Sequence, residues 1–199
     1  MIVPGFIVLL IVAVMILFLA LCSKGDVQSV VADDGNTYII RRGHNKSVEF
    51  LQESANVLSK LNQRILALIN YLENHSPDEP SAKALARIYS YTVLSEAVID
   101  SRYTSFTVNK KDIHMCIRTR NSEEQVYDID LLMYVVLHEL AHMCNYDSNG
   151  MPIVGHGPEF KHVFRLFVES AVRAGVYKYT DYSDKPTEYC GMVLNSSIL

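Results

Sequence analysis

The sequence predicts a small α+β domain behind an N-terminal transmembrane helix. Three observations lead to this class: an uncharged apolar run at the start of the chain, several segments with apolar residues every three to four positions, and one segment of apolar–polar alternation. The 199 residues suffice for one domain with a sizeable core and an appendage. The net charge of −4, without a basic stripe, gives no indication of a nucleic-acid partner.

The first 22 residues, MIVPGFIVLLIVAVMILFLALC, contain no charged side chain. About 20 apolar residues in a helix extend ~30 Å, which matches the hydrocarbon core of a bilayer. A cleaved signal peptide is the alternative, but no basic residue precedes the run, which exceeds the usual ~7–15 residues. Residues 1–22 are therefore predicted to be the transmembrane anchor of a single-pass membrane protein. Basic residues follow the span, which favours a cytoplasmic location for the rest of the chain.

The cysteines give a second indication of the compartment. Cys22 falls in the predicted span, whereas Cys116, Cys144 and Cys190 fall in the remainder of the chain. An odd number of cysteines in the domain is typical of free thiols in a reducing compartment. We therefore expect these three side chains to be unpaired.

After the span, residues 23–46 are polar and contain glycine, which predicts a linker with at most a small strand at Tyr38–Ile40. The domain is predicted to occupy residues 47–199. It begins with an amphipathic helix of about seven turns, for which Ser47 is the predicted N-cap. This helix is expected to pack against its own domain, with a short coiled coil as the alternative. A second helix is predicted from residue 82 to about residue 100.

A β-hairpin is predicted in the stretch SFTVNKKDIHMCIRTR. Phe106 and Val108 alternate with polar neighbours, residues 109–111 can form a turn, and Ile113 and Met115 alternate again. The stretch therefore contributes the β part of the predicted fold.

Two further helices follow the hairpin. Asp130 is the predicted N-cap of LLMYVVLHELAHMCNY, which is so apolar that it must be buried. Pro158 at a first helical position and Gly175 after the last turn delimit the other helix. The tyrosine-rich remainder is predicted to contain at most one short strand.

The buried helix carries the residues that indicate chemistry. His138 and His142 are four positions apart, so both imidazoles point the same way and can bind one metal ion. Glu139 flanks that site and can take a proton from a water molecule there. The alternative is a pair of core histidines hydrogen-bonded to their neighbours, although such polar groups are costly in an apolar helix.

A catalytic zinc site normally has three protein ligands, so a third ligand must follow. The candidates are Asp147, His156, Glu159 and His162. We favour His156, because it lies between two glycines whose flexible backbone lets the imidazole reach the metal. His162 and Glu159, in the following helix, are the alternatives.

The pattern HELAH…GHGPEF resembles the WLM and SprT-like zinc metallopeptidases, a branch of the zincins. The resemblance covers roughly residues 105–174. It implies a small zincin-like α+β domain with one catalytic Zn²⁺, ligated by His138, His142 and His156, and with Glu139 as the general base.

The resemblance also implies an activity. It predicts a membrane-anchored zinc metallopeptidase that hydrolyses peptide bonds of a protein or peptide substrate with a zinc-activated water. Well-studied relatives act on protein crosslinked to DNA, but this chain has no basic stripe or zinc-ribbon spacing, so that substrate is not carried over. A catalytically idle zincin-fold binding module and a structural membrane protein, for example a viral one, are the alternatives.

Four tyrosines are candidates for stabilising the oxyanion: Tyr177, Tyr179, Tyr182 and Tyr189.

Overall fold

The computed structural model of the protein describes residues 27–43, 47–98 and 104–199. These residues form a mixed α+β fold, which confirms the predicted class. The predicted transmembrane anchor, residues 1–22, lies outside them. Within the described ranges, no helix is both long enough and apolar enough to cross a bilayer.

The described part of the chain contains small sheets and longer helices. In chain order the elements are β1 (Val27–Val31), β2 (Thr37–Arg41), α1 (Val48–His75), α2 (Pro80–Tyr89), β3 (Val93–Glu96), β4 (Phe106–Val108), β5 (Asp112–Met115), α3 (Ile129–Cys144), α4 (Pro158–Arg173), β6 (Thr187–Tyr189) and β7 (Met192–Leu194). The central sheet has the order β3-β5-β4, with β3 parallel and β4 antiparallel to β5. Two antiparallel hairpins, β1–β2 and β6–β7, complete the strands described.

The segment predicted to be a linker, residues 23–46, instead contributes the β1–β2 hairpin to the domain. Alternate side chains of β2 point inward, so that Tyr38 and Ile40 are buried in the core. Asn56 of α1 accepts a hydrogen bond from the Asp33 backbone at 3.0 Å, which ties the turn to the helix. The small strand predicted at Tyr38–Ile40 is confirmed within β2, whereas β1, whose side chains are exposed or partly buried, was not predicted.

Helix α1 forms as predicted and lies at the centre of the fold. The Ser47 hydroxyl accepts a hydrogen bond from the Phe50 backbone at 3.2 Å and caps the first turn. Its apolar stripe, which includes Leu58, Leu61 and Ile65, is fully buried against the domain. The predicted packing against its own domain is confirmed.

The second predicted helix, residues 82 to about 100, is too long, because α2 ends at Tyr89. A turn follows, in which the Thr92 backbone donates to the Tyr89 carbonyl at 3.1 Å. The chain then enters β3, where Leu94 pairs with Ile113 of β5. The parallel pairing with β5 overrides the helical spacing of apolar residues.

Helix α3 has its N-cap at Asp128, so the prediction of Asp130 as N-cap is wrong. The Asp128 carboxylate accepts hydrogen bonds from the Asp130 and Leu131 backbones at 2.9 and 3.3 Å. Asp130 lies in the first turn and pairs with Arg64 at 2.6 Å. Most of α3 is buried, as its apolar composition predicts. Helix α4 begins at Pro158 as predicted.

The tail forms a β6–β7 hairpin, and a disulfide joins it to the central sheet. Cys116 and Cys190 form this bond, so the prediction of three free thiols is wrong for both. The odd count is explained by Cys144, which is buried and, among the described cysteines, unpaired. The cysteines therefore no longer indicate a reducing compartment, and the cytoplasmic location stays a prediction.

Candidate metal centre

Three imidazoles converge near the C-terminal end of α3. His138 and His142 lie one turn apart on α3, and His156 approaches from the loop that precedes α4. The Nε2 atoms of the three rings are separated by 3.1, 3.0 and 3.1 Å. His138 and His142 are partly buried and His156 is exposed. We call these three residues the histidine cluster.

The histidine cluster fits a tetrahedrally ligated transition metal. With Zn–N bonds of ~2.0–2.1 Å, two ligand nitrogens of an ideal tetrahedron lie ~3.3–3.4 Å apart. The observed separations of 3.0–3.1 Å are a few tenths of an ångström shorter. Burial, followed by the neighbouring histidines, lowers the pKa of His138 to about 3 and that of His142 to about 4. Both rings are therefore neutral at pH 7, the state in which imidazole binds a metal.

The loop after α3 returns the chain to the cluster. The Asp147 carboxylate accepts hydrogen bonds from the Asn149 and Met151 backbones at 2.9 and 2.8 Å, which closes a tight turn. Gly155 has a φ of +91°, a conformation that favours glycine, directly before His156. The loop thus uses the Asp147 carboxylate for its own structure and brings His156 to the cluster.

The other two candidates for a third ligand lie elsewhere on α4. The His162 side chain is 69% exposed, and its Nε2 atom is 3.9 Å from Glu79. Glu159 is exposed and, like His162, lines a cavity of about 680 Å³ between α2, α4 and the loop. Within the described residues, the group that could hold a metal contains the three histidines and neither of these side chains.

An aromatic ring lies beneath the histidine cluster. The centroid of Phe160, on the first turn of α4, is 4.3–4.9 Å from the centroids of all three imidazoles. Its side chain is almost fully buried. Packing against Phe160 limits the rotation of the imidazoles, so the phenylalanine of the GHGPEF stretch has a structural role.

Glu139 lies beside the first histidine and is 7% exposed. Its Oε2 atom accepts a hydrogen bond from the Thr107 hydroxyl of β4 at 2.8 Å. Burial raises the pKa of Glu139 to about 7, although the bond from Thr107 opposes the shift. A carboxyl group with a pKa near neutrality can both accept and release a proton at physiological pH.

The sequence analysis missed two side chains on the β4–β5 hairpin that contact α3. Thr107 reaches Glu139, and Lys110 donates hydrogen bonds to the carbonyls of His142 and Asn145 at 2.6 and 2.8 Å. The alternation that predicted the hairpin gave no information about which helix it would contact. The sequence offered one indication of this contact: Lys110 stands at a position of the predicted hairpin turn where glycine is usually favoured.

The four candidate tyrosines have different surroundings. Tyr177 and Tyr182 pack around Tyr134 in the core, and the Tyr179 hydroxyl donates to a carbonyl near the C-terminus. The Tyr189 hydroxyl lies 2.6 Å from the Ser105 hydroxyl, and its pKa is raised mainly by burial and additionally by the charge of Glu139. Tyr189 is therefore the candidate with an electrostatic link to the site, although its side chain is buried.

The chain is similar to proteins of several viruses. Uncharacterized protein R325 of Acanthamoeba polyphaga mimivirus is 32% identical over 197 residues, which cover 96% of this chain and 94% of that protein. Uncharacterized protein 136R of Invertebrate iridescent virus 6 is 28% identical over 145 residues, 72% of this chain and 76% of that protein. Uncharacterized protein 042R of Invertebrate iridescent virus 3 is 40% identical over 73 residues, 37% of this chain and 42% of that protein. No family model and no solved structure matches.

Proposed function

The chain belongs to the family of protein R325 of Acanthamoeba polyphaga mimivirus, and we propose that it is a zinc-dependent peptidase. The observation that carries this proposal is the convergence of three imidazole Nε2 atoms at 3.0–3.1 Å beside a buried glutamate. Three histidine ligands leave a fourth position for water, which is the arrangement of catalytic zinc sites. This arrangement supports the resemblance to the WLM and SprT-like metallopeptidases and a zincin-like fold.

The proposed reaction divides the chemistry between metal and protein. A bound zinc ion would polarise the scissile carbonyl and lower the pKa of a water molecule. Glu139 is the proposed base that accepts the proton of the attacking water and returns it to the leaving amine. The Thr107 hydroxyl holds one carboxylate oxygen of Glu139, so the base cannot rotate without breaking that bond. The neutral His138 and His142 side chains offer their Nε2 lone pairs without first losing a proton.

We extend the proposal to a membrane-anchored enzyme, because residues 1–22 are uncharged and long enough to span a bilayer. The Cys116–Cys190 disulfide favours a compartment in which disulfides persist for the domain, against the cytoplasmic side that the flanking charges favour. Alkaline carbonate extraction of membranes containing the full chain tests the anchor. Recovery of a soluble chain shortened by about 22 residues would establish a signal peptide instead.

The test of the peptidase uses the full-length chain purified in detergent, with bound zinc and hydrolysis of a peptide library as readouts. We expect one zinc ion per chain. Glu139→Gln should retain this zinc and lower hydrolysis by ~10²–10⁴-fold, because it removes the proton acceptor and keeps the size. His156→Ala should lose the zinc, whereas the matched control His162→Ala should retain both zinc and activity.

Each alternative predicts a different result. A chain that binds zinc and hydrolyses no peptide is the idle binding module. Hydrolysis by Glu139→Gln within a few-fold of the parent chain would eliminate Glu139 as the base. Zinc retained by His156→Ala and lost by His162→Ala would eliminate His156 as the third ligand.

A further inference from the structure

We propose that Lys110 is a positioning residue of the metal centre, holding the end of α3 that carries His142. This inference rests on the proposed zinc site. Lys110 lies in the turn between β4 and β5, far in sequence from α3, and its Nζ atom donates to the His142 carbonyl at 2.6 Å. It also donates to the Asn145 carbonyl at 2.8 Å. One ammonium group thus joins the second ligand's backbone to the first residue of the loop that leads to His156.

The last carbonyls of a helix have no partner within the helix. Lys110 supplies hydrogen bonds there, and its positive charge is favourable at the negative end of the helix dipole. The Lys110 ammonium also lies 4.4 Å from the centroid of the Tyr146 ring. The side chain therefore has three contacts at the C-terminal end of α3 and the start of the following loop.

The backbone of Lys110 is itself unusual. Asn109 and Lys110 both have a φ of +52°, and the Lys111 backbone donates to the Val108 carbonyl at 2.9 Å, as in a two-residue hairpin turn. Asparagine is common at such positions, and glycine is favoured at the second one, where lysine costs ~1–2 kcal/mol in backbone strain. Such strain points to a role for the side chain that imposes it.

The hairpin that carries Lys110 is held firmly relative to α3. β4 pairs along its whole length with β5, and Ile113 of β5 is fully buried. Thr107 of β4 makes the second contact with α3, through the carboxylate of Glu139. Because the hairpin contacts α3 at both Glu139 and His142, it can fix the last turn of α3 before metal binds.

Charge and positioning predict opposite effects of removing Lys110. A positive charge near His142 repels a divalent cation, so electrostatics alone predicts tighter zinc binding when the lysine is neutralised. If Lys110 instead positions the ligand, its loss weakens binding. Residues that orient metal ligands typically contribute about 10–100-fold to metal affinity. The sign of the change therefore separates the two effects.

Lys111 provides a matched control within the same turn. It carries the same charge one residue further on, and its Nζ atom lies 5.9 Å from the Tyr91 ring centroid. Lys111→Met removes an equal charge from the hairpin and leaves the contacts of Lys110 with α3 in place. Lys110→Gly is a second test variant, because glycine relieves the strained turn and so protects the fold while removing the ammonium.

The experiment measures the zinc dissociation constant of the full-length chain by competition with a chelator. We expect Lys110→Met and Lys110→Gly to weaken zinc binding by about 10-fold or more, and Lys111→Met to change it by less than about 2-fold. The visible spectrum of the cobalt-loaded chain, which reports ligand geometry, should change in the Lys110 variants only. Unchanged or tighter zinc binding in both Lys110 variants would overturn the inference.

The outcome is separable from that of the peptidase proposal. A parent chain that binds zinc without hydrolysing any peptide overturns the proposed activity and leaves the affinity test of Lys110 intact. A parent chain that hydrolyses peptides while the Lys110 variants keep its zinc affinity overturns the positioning role alone. A parent chain that binds no zinc overturns both.

Discussion

Two groups of polar side chains in this protein, one buried and one that reaches the surface, differ in whether their charged or polar atoms have partners inside the fold. The ionic cluster consists of Arg41, Glu96, Arg118 and Glu124, whose side chains are at most 7% exposed. Arg118 donates to both oxygens of Glu96 at 2.6 and 2.7 Å, and Arg41 pairs with Glu124 at 2.6 Å. Two positive and two negative groups are matched in charge, and within this cluster the one buried nitrogen without a hydrogen-bond partner is Nη1 of Arg118.

The histidine cluster lacks such matching. Its three Nε2 atoms face one another at 3.0–3.1 Å. In a neutral imidazole each nitrogen either donates or accepts, so the three contacts among these atoms cannot all be hydrogen bonds. Burial lowers the pKa values of His138 and His142 and raises that of Glu139. Burial raises the pKa of Glu96 too, but there the charges of Arg118 and Arg41 oppose the shift. A buried ionic group with internal partners indicates structure, whereas convergent groups without them indicate a site for a ligand.

The largest expected effect is on the ionic cluster. Glu96→Ala leaves Arg118 buried without its carboxylate, and breaking a buried pair in this way costs about 3–5 kcal/mol of unfolding free energy. Denaturant unfolding monitored by circular dichroism measures it. Zinc stoichiometry of the folded fraction should stay at the parent level, because the cluster supplies no metal ligand.

The exposed pair Lys83–Asp78, whose charged groups lie 3.4 Å apart, is the control. Asp78→Ala should change the unfolding free energy by less than about 1 kcal/mol, since exposed ion pairs contribute little. If Glu96→Ala were no more destabilising than Asp78→Ala, the ionic cluster would not stabilise the fold, and its contrast with the histidine cluster would fail.

The sequence predicts the two clusters unequally well because of the distances along the chain. His138 and His142 are four residues apart on one helix, and His156 follows within one loop, so local spacing suffices to find them. Arg41 and Glu124 are 83 residues apart, and no local pattern connects them. The same reasoning explains the correct predictions of α1 and the β4–β5 hairpin, which depend on local periodicity.

Two errors in the predicted fold likewise come from contacts distant in sequence. Helix α2 ends early because β3 pairs with β5, about 20 residues further on. Cys116 and Cys190 are separated by 74 residues, so the cysteine count could not reveal their bond. Lys110 was missed for the same reason: its acceptors, at the end of α3 and directly after it, lie 32 and 35 residues away.

Removing the disulfide should have an intermediate effect on the unfolding free energy, and it tests whether the histidine cluster depends on the ionic cluster. The sulfur of Cys116 lies 3.4 Å from the carbonyl of Arg118, and Cys190 is the first residue of the turn between β6 and β7. The double variant Cys116→Ala/Cys190→Ala should lose about 2–4 kcal/mol of unfolding free energy. Its zinc stoichiometry should be unchanged, because the cysteines contact the ionic cluster and none of the histidines.

A reducing agent provides the control for the disulfide. It should destabilise the parent chain by a similar amount and leave the double variant unaffected, as judged by denaturant unfolding. Loss of zinc from the folded double variant would show that the histidine cluster depends on the disulfide and that the two regions are coupled.

The smallest expected effect on the unfolding free energy is a gain instead of a loss. It concerns Glu139, whose burial destabilises the fold when the carboxylate is charged. Burial raises the pKa of Glu139 from 4.5 to about 7. Between these values the folded chain keeps a proton that the unfolded chain has released, so stability is lost as the pH rises through this window. Above pH 7 the full penalty, up to about 3 kcal/mol, acts on the metal-free protein.

Glu139→Gln removes that penalty and keeps an acceptor for the Thr107 hydroxyl. The metal-free variant should therefore be more stable than the metal-free parent chain by up to about 3 kcal/mol at pH 8, and by less than about 1 kcal/mol at pH 5. Denaturant unfolding of both chains in the presence of a chelator measures the difference, and groups common to both largely cancel at each pH. A difference that does not grow with pH would contradict the raised pKa. A gain at pH 8 would mean that the fold retains a destabilising carboxylate beside its histidines, which is expected of a residue kept for catalysis and not for stability.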